Sequence, residues 1–176
     1  MSSVAASPDP EWPDELYELL RKHGITQFAY VPDAGHKTLI NRSLADPDVN
    51  SIALTTEEEG VAVLAGADLG GARGVLMMQS SGAGNCINFL SMIKAGRFPF
   101  LTLVSMRGDF GEENPWQMPM GQALRAVLAA MGIICLDVDS PPQVVPTVEG
   151  ALRMTFQSGN AVAVLLTQKL IGAKAF

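Results

Sequence analysis

The chain has 176 residues, of which 48% are hydrophobic and 17% are charged, and its net charge is -6. This length allows one domain with its own core, and the negative charge argues against nucleic acid and anionic membranes as partners. No apolar run reaches the roughly 18 residues of a membrane-spanning helix, and the N-terminus lacks a signal-peptide pattern, so we expect a cytoplasmic protein. The high apolar content indicates that part of its surface is covered by another subunit.

Short apolar segments alternate with helical segments along the chain. Residues 1–10 are rich in Ser, Ala, Pro and Asp and are expected to be disordered, which leaves a single domain over 11–176. Strands are predicted at 25–31, 49–54, 74–79, 99–105, 133–138 and 161–167. They lack polar alternation, so both faces of the sheet are expected to be covered. The fold class is therefore α/β: one doubly wound domain with a six-stranded, mostly parallel sheet and helices on both faces.

Three consecutive carboxylates, Glu57 to Glu59, begin a predicted helix that ends at Gly70, with Thr55 or Thr56 as the N-cap. Acids in a first turn are explained simply by the helix dipole, which they complement. The helix behind them, however, has no polar face for most of three turns, so it is buried or packs closely on another backbone. A carboxylate that begins such a helix is poorly solvated, which suits it to proton chemistry near neutral pH.

Polar residues cluster where the predicted strands end. A turn at 33–36, the acids at 57–59, a turn at 80–85 and a loop at 106–120 each follow a strand. Ligands of doubly wound folds bind beyond the carboxyl ends of the strands. We therefore expect these four stretches to meet at one rim of the sheet.

The acidic helix start and the turn Ser80-Ser81-Gly82-Ala83-Gly84-Asn85 resemble the pyrimidine-binding domain of thiamine-diphosphate enzymes. The resemblance is to the alpha subunits of sulfopyruvate decarboxylases and next to phosphonopyruvate decarboxylases. It extends from about Gln27 to Gln122 and more loosely to the C-terminus. In this family a glutamate at the helix start hydrogen-bonds N1′ of the aminopyrimidine ring and promotes ylid formation. Matching Ala65-Gly66 and Gly82 to the family assigns this role to Glu57, and a register shift of one residue assigns it to Glu58.

The resemblance also implies contacts around the cofactor. It implies that the pyrimidine, or a subunit contact, is met by Ser80, Ser81, Gly82 and Asn85. The alternative is an ordinary strand-to-helix turn with a serine N-cap. His36 either donates a proton toward the cofactor or is a solvated turn residue.

A substrate-binding role is implied for Arg107, Trp116 and Gln117. Arg107 occupies the position of the family's Arg-Gly motif, and it either binds an anionic substrate group through two hydrogen bonds or forms a surface pair with Asp109 or Glu112. Met106 stands where the family often has His or Trp, and Trp116-Gln117 stand where phosphonopyruvate enzymes have a histidine. An apolar or aromatic 2-oxo acid suits Trp116, Met118 and Met120 better than sulfopyruvate or phosphonopyruvate.

The Gly-Asp-Gly motif with a later Asn, which binds Mg²⁺ and the diphosphate in this family, is absent from the sequence. The resemblance therefore implies a thiamine diphosphate shared with a beta subunit that carries this motif and holds Mg²⁺, with no metal ligands on this chain. It further implies that alpha chains associate with one another within a hetero-oligomer. The implied activity is decarboxylation of a 2-oxo acid, a carboxy-lyase reaction that requires the partner. The alternatives are a thiamine-diphosphate carboligase or synthase subunit and a non-catalytic α/β binding module.

Overall fold

A computed structural model describes residues 11–173 of the chain, so the predicted disorder of residues 1–10 lies outside the described residues. The strands in that part are β1 (Ile25–Tyr30), β2 (Asn50–Ala53), β3 (Arg73–Gln79), β4 (Phe100–Ser105), β5 (Ile134–Val138) and β6 (Ala161–Leu166). The helices are α1 (Trp12–Lys22), α2 (Lys37–Ala45), α3 (Glu57–Leu69), α4 (Ser80–Asn85), α5 (Ile87–Gly96), α6 (Met118–Ala130), α7 (Pro141–Phe156) and α8 (Gln168–Ile171). Each strand begins and ends within one residue of its predicted bounds.

The six strands form one sheet in the order β2-β1-β3-β4-β6-β5. Every neighbouring pair is parallel, and Ala29 of β1 is in register with Ile52 of β2 and Leu76 of β3. Helices cover both faces, with α1, α2 and α7 over one hydrophobic cluster and α3, α5 and α6 over the other. The predicted doubly wound α/β fold is therefore confirmed.

Strand β3 illustrates why these strands lack polar alternation. Val75 and Met77 belong to the cluster on one face of the sheet, and Leu76 and Met78 belong to the cluster on the other. All four side chains are fully buried. Successive side chains of a strand point to opposite faces, so a strand covered on both sides is apolar at every position.

The order of the strands creates a crevice between β1 and β3. From β1 the chain moves outward to the edge strand β2, and it then returns across β1 to form β3. The connections that leave β1 and β3 therefore diverge, which makes the carboxyl ends of these two strands a topological switch point, where ligands of such folds bind. Asp33 follows β1 and Gln79 ends β3, so both lie at this crevice.

Helix α3 is buried on one side only within the described chain. Gly60, Val61 and Leu64 face the sheet, whereas Ala62 and Leu69 are exposed, Leu69 to 78%. The sequence predicts a helix that is buried or packed on another backbone, and the fold covers half of it. Over residues 11–173, none of the helices combines the length and the hydropathy needed to cross a membrane.

Candidate functional site

The three acids at the start of α3 point in different directions. Thr56 occupies the N-cap position in an extended conformation, but its hydroxyl donates to Oε2 of Glu58 at 3.1 Å instead of accepting from the helix. Oε2 of Glu59 accepts a hydrogen bond from the backbone N–H of Thr55 at 2.9 Å. Glu58 and Glu59 are thus bound within their own segment, whereas Glu57 is turned inward and is only 9% exposed.

Glu57 is held by two residues of α4. Nδ2 of Asn85 donates a hydrogen bond to Oε2 of Glu57 at 2.9 Å. Gly82 lies directly against the same carboxylate, and a Cβ atom on Gly82 would overlap Glu57 Oε1. This contact of Glu57 with Gly82 and Asn85, the carboxylate seat, fixes one carboxylate oxygen and leaves further acceptor capacity on the group, which suits it to a hydrogen bond with a ring nitrogen.

The predicted turn at 80–85 is a six-residue helix, α4, and α5 follows it directly. Ser80 is not its N-cap, because its hydroxyl accepts from the backbone N–H of Arg107 at 3.0 Å and donates to the Arg107 carbonyl at 3.3 Å. The interpretation as an ordinary serine-capped turn is therefore wrong. The Ser80 side chain is fully buried and ties α4 to the end of β4.

Asp33 is a site residue that the sequence analysis did not single out. Its Oδ2 accepts from Ser105 Oγ at 2.6 Å and from the Gly35 N–H at 2.9 Å, and its Oδ1 accepts from Gln79 Nε2 at 3.1 Å. One carboxylate therefore joins the ends of β1, β3 and β4. The indication available in the sequence was the position of Asp33 shortly after a predicted strand. Gln79 and Ser105 end two other predicted strands, and parallel strands end at the same edge of the sheet.

His36 is buried beneath the turn that follows β1, with an exposed fraction of 1%. Its Nε2 donates to the carbonyl oxygen of Met78 at 3.2 Å, and its Nδ1 has no hydrogen-bond partner in the described structure. Burial lowers the pKa of His36, although the nearby Asp33 carboxylate opposes the shift. The interpretation as a solvated turn residue is wrong, because the ring packs against β3. Its catalytic role stays a prediction, for a ring that is neutral at pH 7.

Arg107 forms a buried ion pair with Glu112. The Nε and Nη2 atoms of Arg107 donate to the two carboxylate oxygens of Glu112 at 2.6 and 2.7 Å, and Arg107 is 6% exposed. Glu112 also accepts from Gln168 Nε2 and from the backbone N–H groups of Gly108 and Asn114. The hydrogen bonds from Arg107 above all lower the pKa of Glu112 to about 2.

This geometry corrects the expected surroundings of Arg107. Glu112 is one of the two pairing partners that were expected for Arg107. The pair, however, lies inside the 106–117 loop and not on the surface, and the Glu112 side chain is 1% exposed. Glu112 occupies one of the two guanidinium edges that can bind an anion through two hydrogen bonds, the one formed by Nε and Nη2. Any contact of Arg107 with a substrate anion would have to displace Glu112 or use another part of the group.

Trp116 and Gln117 border an open groove of about 600 Å³. Trp116 is 86% exposed, and Oε1 of Gln117 is buried without a hydrogen-bond partner in the described structure. The groove is completed by Ser81, Pro115, Pro119 and Met120. Ser81 also donates to Gln79 Oε1 at 2.8 Å, which places the groove beside the switch point.

The structure thus brings together part of the predicted site. Glu57, Gly82 and Asn85 are in contact, and Ser81 lies on the same short helix. The remaining predicted residues have other surroundings: Ser80 is buried at the start of α4 against the backbone of Arg107, His36 is buried in the turn after β1, Glu58 accepts from Thr56, and Trp116 and Gln117 border the groove.

Comparison with known proteins identifies the family. No protein family model matches the chain. The chain is 34% identical over 154 residues to subunit alpha of sulfopyruvate decarboxylase from Methanococcus maripaludis, a match that covers 87% of this chain and 92% of the relative. The chain belongs to the family of sulfopyruvate decarboxylase alpha subunits. The resemblance inferred from Glu57 and from the segment 80–85 is confirmed.

Longer relatives contain this family's domain as one part. The chain is 28% identical over 158 residues to the sulfopyruvate decarboxylase of Methanosarcina acetivorans, which covers 89% of this chain but 40% of the relative. It is 40% identical over 92 residues to the phosphonopyruvate decarboxylase of Streptomyces viridochromogenes, which covers 52% of this chain and 23% of the relative.

The fold of this alpha subunit is also found in a solved structure of another enzyme. It is the 2-oxoglutarate:ferredoxin oxidoreductase from Magnetococcus marinus with 2-oxoglutarate, coenzyme A and succinyl-CoA bound. The TM-score is 0.74, the match covers 92% of this chain and 29% of that chain, and the sequence identity is 15%. At this identity the likeness concerns the fold alone.

Proposed function

We propose that the protein is the alpha, pyrimidine-binding subunit of a thiamine-diphosphate-dependent 2-oxo acid decarboxylase, a carboxy-lyase that acts only together with a partner subunit. The observation that carries the proposal is the carboxylate seat, in which Asn85 and Gly82 hold the buried carboxylate of Glu57. Membership of the sulfopyruvate decarboxylase alpha-subunit family supports the reaction class, and the relatives' names favour decarboxylation over carboligation.

The residues of the seat fit an aminopyrimidine ring. Glu57 would hold a proton shared with the N1′ position, and Asn85 would keep its carboxylate at one orientation through the 2.9 Å hydrogen bond. Because Gly82 has no side chain, the Glu57 carboxylate can lie directly against its backbone. When bound, thiamine diphosphate supplies the electron sink for the loss of CO2.

Other residues would support the site less directly. Ser81 reaches the groove beside the seat, and Ser80 fixes α4 to the end of β4. Glu58 is the alternative to Glu57 if the family register shifts by one residue. His36 would act as a neutral ring behind the switch point, since burial lowers its pKa.

The substrate class follows from the groove. We propose that Trp116 and Gln117 contact the substrate, and that an apolar or aromatic 2-oxo acid fits better than a doubly anionic one. The supporting observations are the apolar lining by Pro115, Pro119 and Met120 and the occupation of one edge of the Arg107 guanidinium by Glu112.

We propose a beta subunit with a Gly-Asp-Gly motif as the partner that holds Mg²⁺ and the diphosphate, with alpha chains also contacting each other in the hetero-oligomer. The lengths of the relatives support this proposal. The chain spans 92% of the Methanococcus maripaludis alpha subunit but 40% of the Methanosarcina acetivorans enzyme. The longer enzyme therefore contains a part that lies outside its match with this chain.

Calorimetry tests the proposal. Thiamine diphosphate with Mg²⁺ is titrated into the chain alone and into the chain co-expressed with a candidate partner that carries Gly-Asp-Gly. We expect binding only with the partner, and CO2 release from an apolar or aromatic 2-oxo acid by the same complex. Tight binding by the chain alone would contradict the shared site, and a complex that binds the cofactor but releases no CO2 from any 2-oxo acid would contradict the decarboxylase activity.

A further inference from the structure

We propose that Gln79 is a positioning residue of the site: its side-chain amide links Asp33 to α4 across the topological switch point and thereby sets the position of the carboxylate seat. This inference rests on the proposed function for its catalytic consequence. It concerns residues that lie beside Glu57 and do not contact it directly.

Both ends of the Gln79 amide are engaged. Nε2 donates to Asp33 Oδ1 at 3.1 Å, and Oε1 accepts from Ser81 Oγ at 2.8 Å. Gln79 is the last residue of β3 and the N-cap residue of α4, in an extended conformation. The amide therefore joins the segment after β1 to the first turn of α4, and its orientation is fixed because a carboxylate accepts but does not donate hydrogen bonds.

Asp33 provides a fixed end for this link. Ser105 Oγ and the Gly35 N–H hold its other oxygen. Burial alone would raise the pKa of Asp33, but the hydrogen bonds from Ser105, Gln79 and Gly35 and the nearby His36 outweigh it, so the pKa lies below its ordinary value. Asp33 is thus an anion at neutral pH and accepts the hydrogen bond from Gln79 there.

The other end of the link reaches Glu57 through α4. Ser81 is followed by Gly82, which lies against the Glu57 carboxylate, and by Asn85, which donates to it. All of these residues belong to one six-residue helix, so a shift of its first turn also moves both contacts of Glu57. Ser80 restrains the same turn from the side of β4, and Gln79 restrains it from the side of β1.

A glutamine is suited to position 79 because the link needs a donor at one end and an acceptor at the other. Methionine has a similar length but makes neither hydrogen bond. A carboxyl group at position 79 accepts from Ser81, but it donates to Asp33 only when it is protonated. Next to the ionised Asp33 its pKa would be raised, so the link would re-form on acidification.

The test compares Gln79→Met and Gln79→Glu with a matched control, Gln27→Met. The amide of Gln27 is also engaged at both ends, since it donates to Thr26 Oγ1 at 3.3 Å and accepts from Asn50 Nδ2 at 3.1 Å. It lies near the start of β1, at the edge of the sheet opposite the seat. Two quantities are measured: the side-chain ¹⁵N–¹H resonance of Asn85 in the full chain alone, and kcat and KM of the assembled decarboxylase.

We expect Gln79→Met to move the Asn85 side-chain resonance and to lower kcat by about tenfold with little change in KM, because small misplacements of catalytic groups cost rate more than binding. Gln27→Met should change neither quantity. The kcat of Gln79→Glu should be low above neutral pH and recover as the pH falls. A substitution that only destabilised the fold would not show this recovery.

An Asn85 resonance that stays in place in Gln79→Met would overturn the proposal, and so would a kcat of Gln79→Glu that follows the wild-type pH profile. If Gln79→Met loses its fold, the pH rescue of Gln79→Glu decides. If the assembled wild type does not decarboxylate any 2-oxo acid, the proposed function fails, while the Asn85 resonance, followed against pH in Gln79→Glu, still decides whether Gln79 positions the seat.

Discussion

Gly82 lies where no side chain fits, since a Cβ atom would overlap the Glu57 carboxylate. We expect Gly82→Ala to displace Glu57 and to lower the free energy of unfolding by about 1–3 kcal/mol, the usual cost of inserting a methyl group into a filled space. Gly66→Ala is the matched control, because a Cβ atom at Gly66 of α3 meets nothing within 4 Å. This control should be neutral or stabilising by up to about 1 kcal/mol through helix propensity.

Urea unfolding of the two alanine variants measures these effects. Equal changes for Gly82→Ala and Gly66→Ala would show that Gly82 does not confine the carboxylate. In the assembled enzyme, Gly82→Ala should also reduce turnover, because that substitution moves Glu57.

Single residues are where the sequence was least informative. Glu57, Gly82 and Asn85 were expected at the site, and the structure brings them into contact. The burial of His36 was not foreseen, because a histidine in a turn after a strand gives no sign of whether the turn folds over it. Asp33 was overlooked for a related reason, since its partners Gln79 and Ser105 are distant in sequence and meet it only in the folded sheet.

The loop between β4 and α6 is organised around Glu112. Its carboxylate accepts hydrogen bonds from Arg107, Gln168 and two backbone N–H groups. Removing one partner of a buried, hydrogen-bonded ion pair is strongly destabilising, so Glu112→Gln should cost about 3–5 kcal/mol of unfolding free energy. The matched control is Glu149→Gln in α7, whose pair with Arg153 is exposed and should contribute less than about 1 kcal/mol. Comparable losses in the two variants would contradict this account of the loop.

The pKa of Glu112 gives this loop a defined pH dependence. The pKa falls from an ordinary 4.5 to about 2 in the folded chain, so the folded state resists protonation more than the unfolded state. The stabilisation is therefore complete above about pH 4.5 and is lost as the pH falls through about 2. Urea unfolding from pH 5 to 2 should show the difference between wild type and Glu112→Gln shrinking toward low pH. A difference that stays constant would contradict the assignment.

At the level of elements, the regular structure follows from local patterns and the irregular structure does not. The apolar runs locate all six strands within one residue of their observed ends, because a strand covered on both faces is apolar throughout. The short helix α4 was mistaken for a turn, since Gly82 and Gly84 weaken its helical pattern and Ser80 resembles a cap. Its first residue, Ser80, bonds to the backbone of Arg107, a contact between residues far apart in the chain that local patterns do not indicate.

For the whole molecule, the high apolar content predicts covered surface, and several large apolar side chains remain exposed on the described chain. Leu69 at the end of α3 is 78% exposed and Leu44 at the end of α2 is 61% exposed, on opposite faces of the sheet. Because α3 also begins with Glu57, we expect the partner subunit to cover its outer side. Leu69→Lys should weaken association with the partner, whereas Leu44→Lys should not.

Analytical ultracentrifugation of each lysine variant mixed with the partner subunit measures the two affinities. A lysine near a helix C-terminus interacts favourably with the dipole, so neither change should disturb the fold. Equal affinity of both variants for the partner would place the interface away from the outer side of α3.

We propose that Glu57, and not its neighbour Glu58, is the carboxylate that acts on the cofactor. The most direct test is the turnover of a 2-oxo acid by the assembled enzyme with Glu57→Gln and, as the matched control, Glu58→Gln. Glu57→Gln should lower kcat by at least about 100-fold, the usual contribution of a positioned proton-transfer group, and Glu58→Gln should stay within a few-fold of wild type. Full turnover in Glu57→Gln, or a large loss confined to Glu58→Gln, would contradict the account.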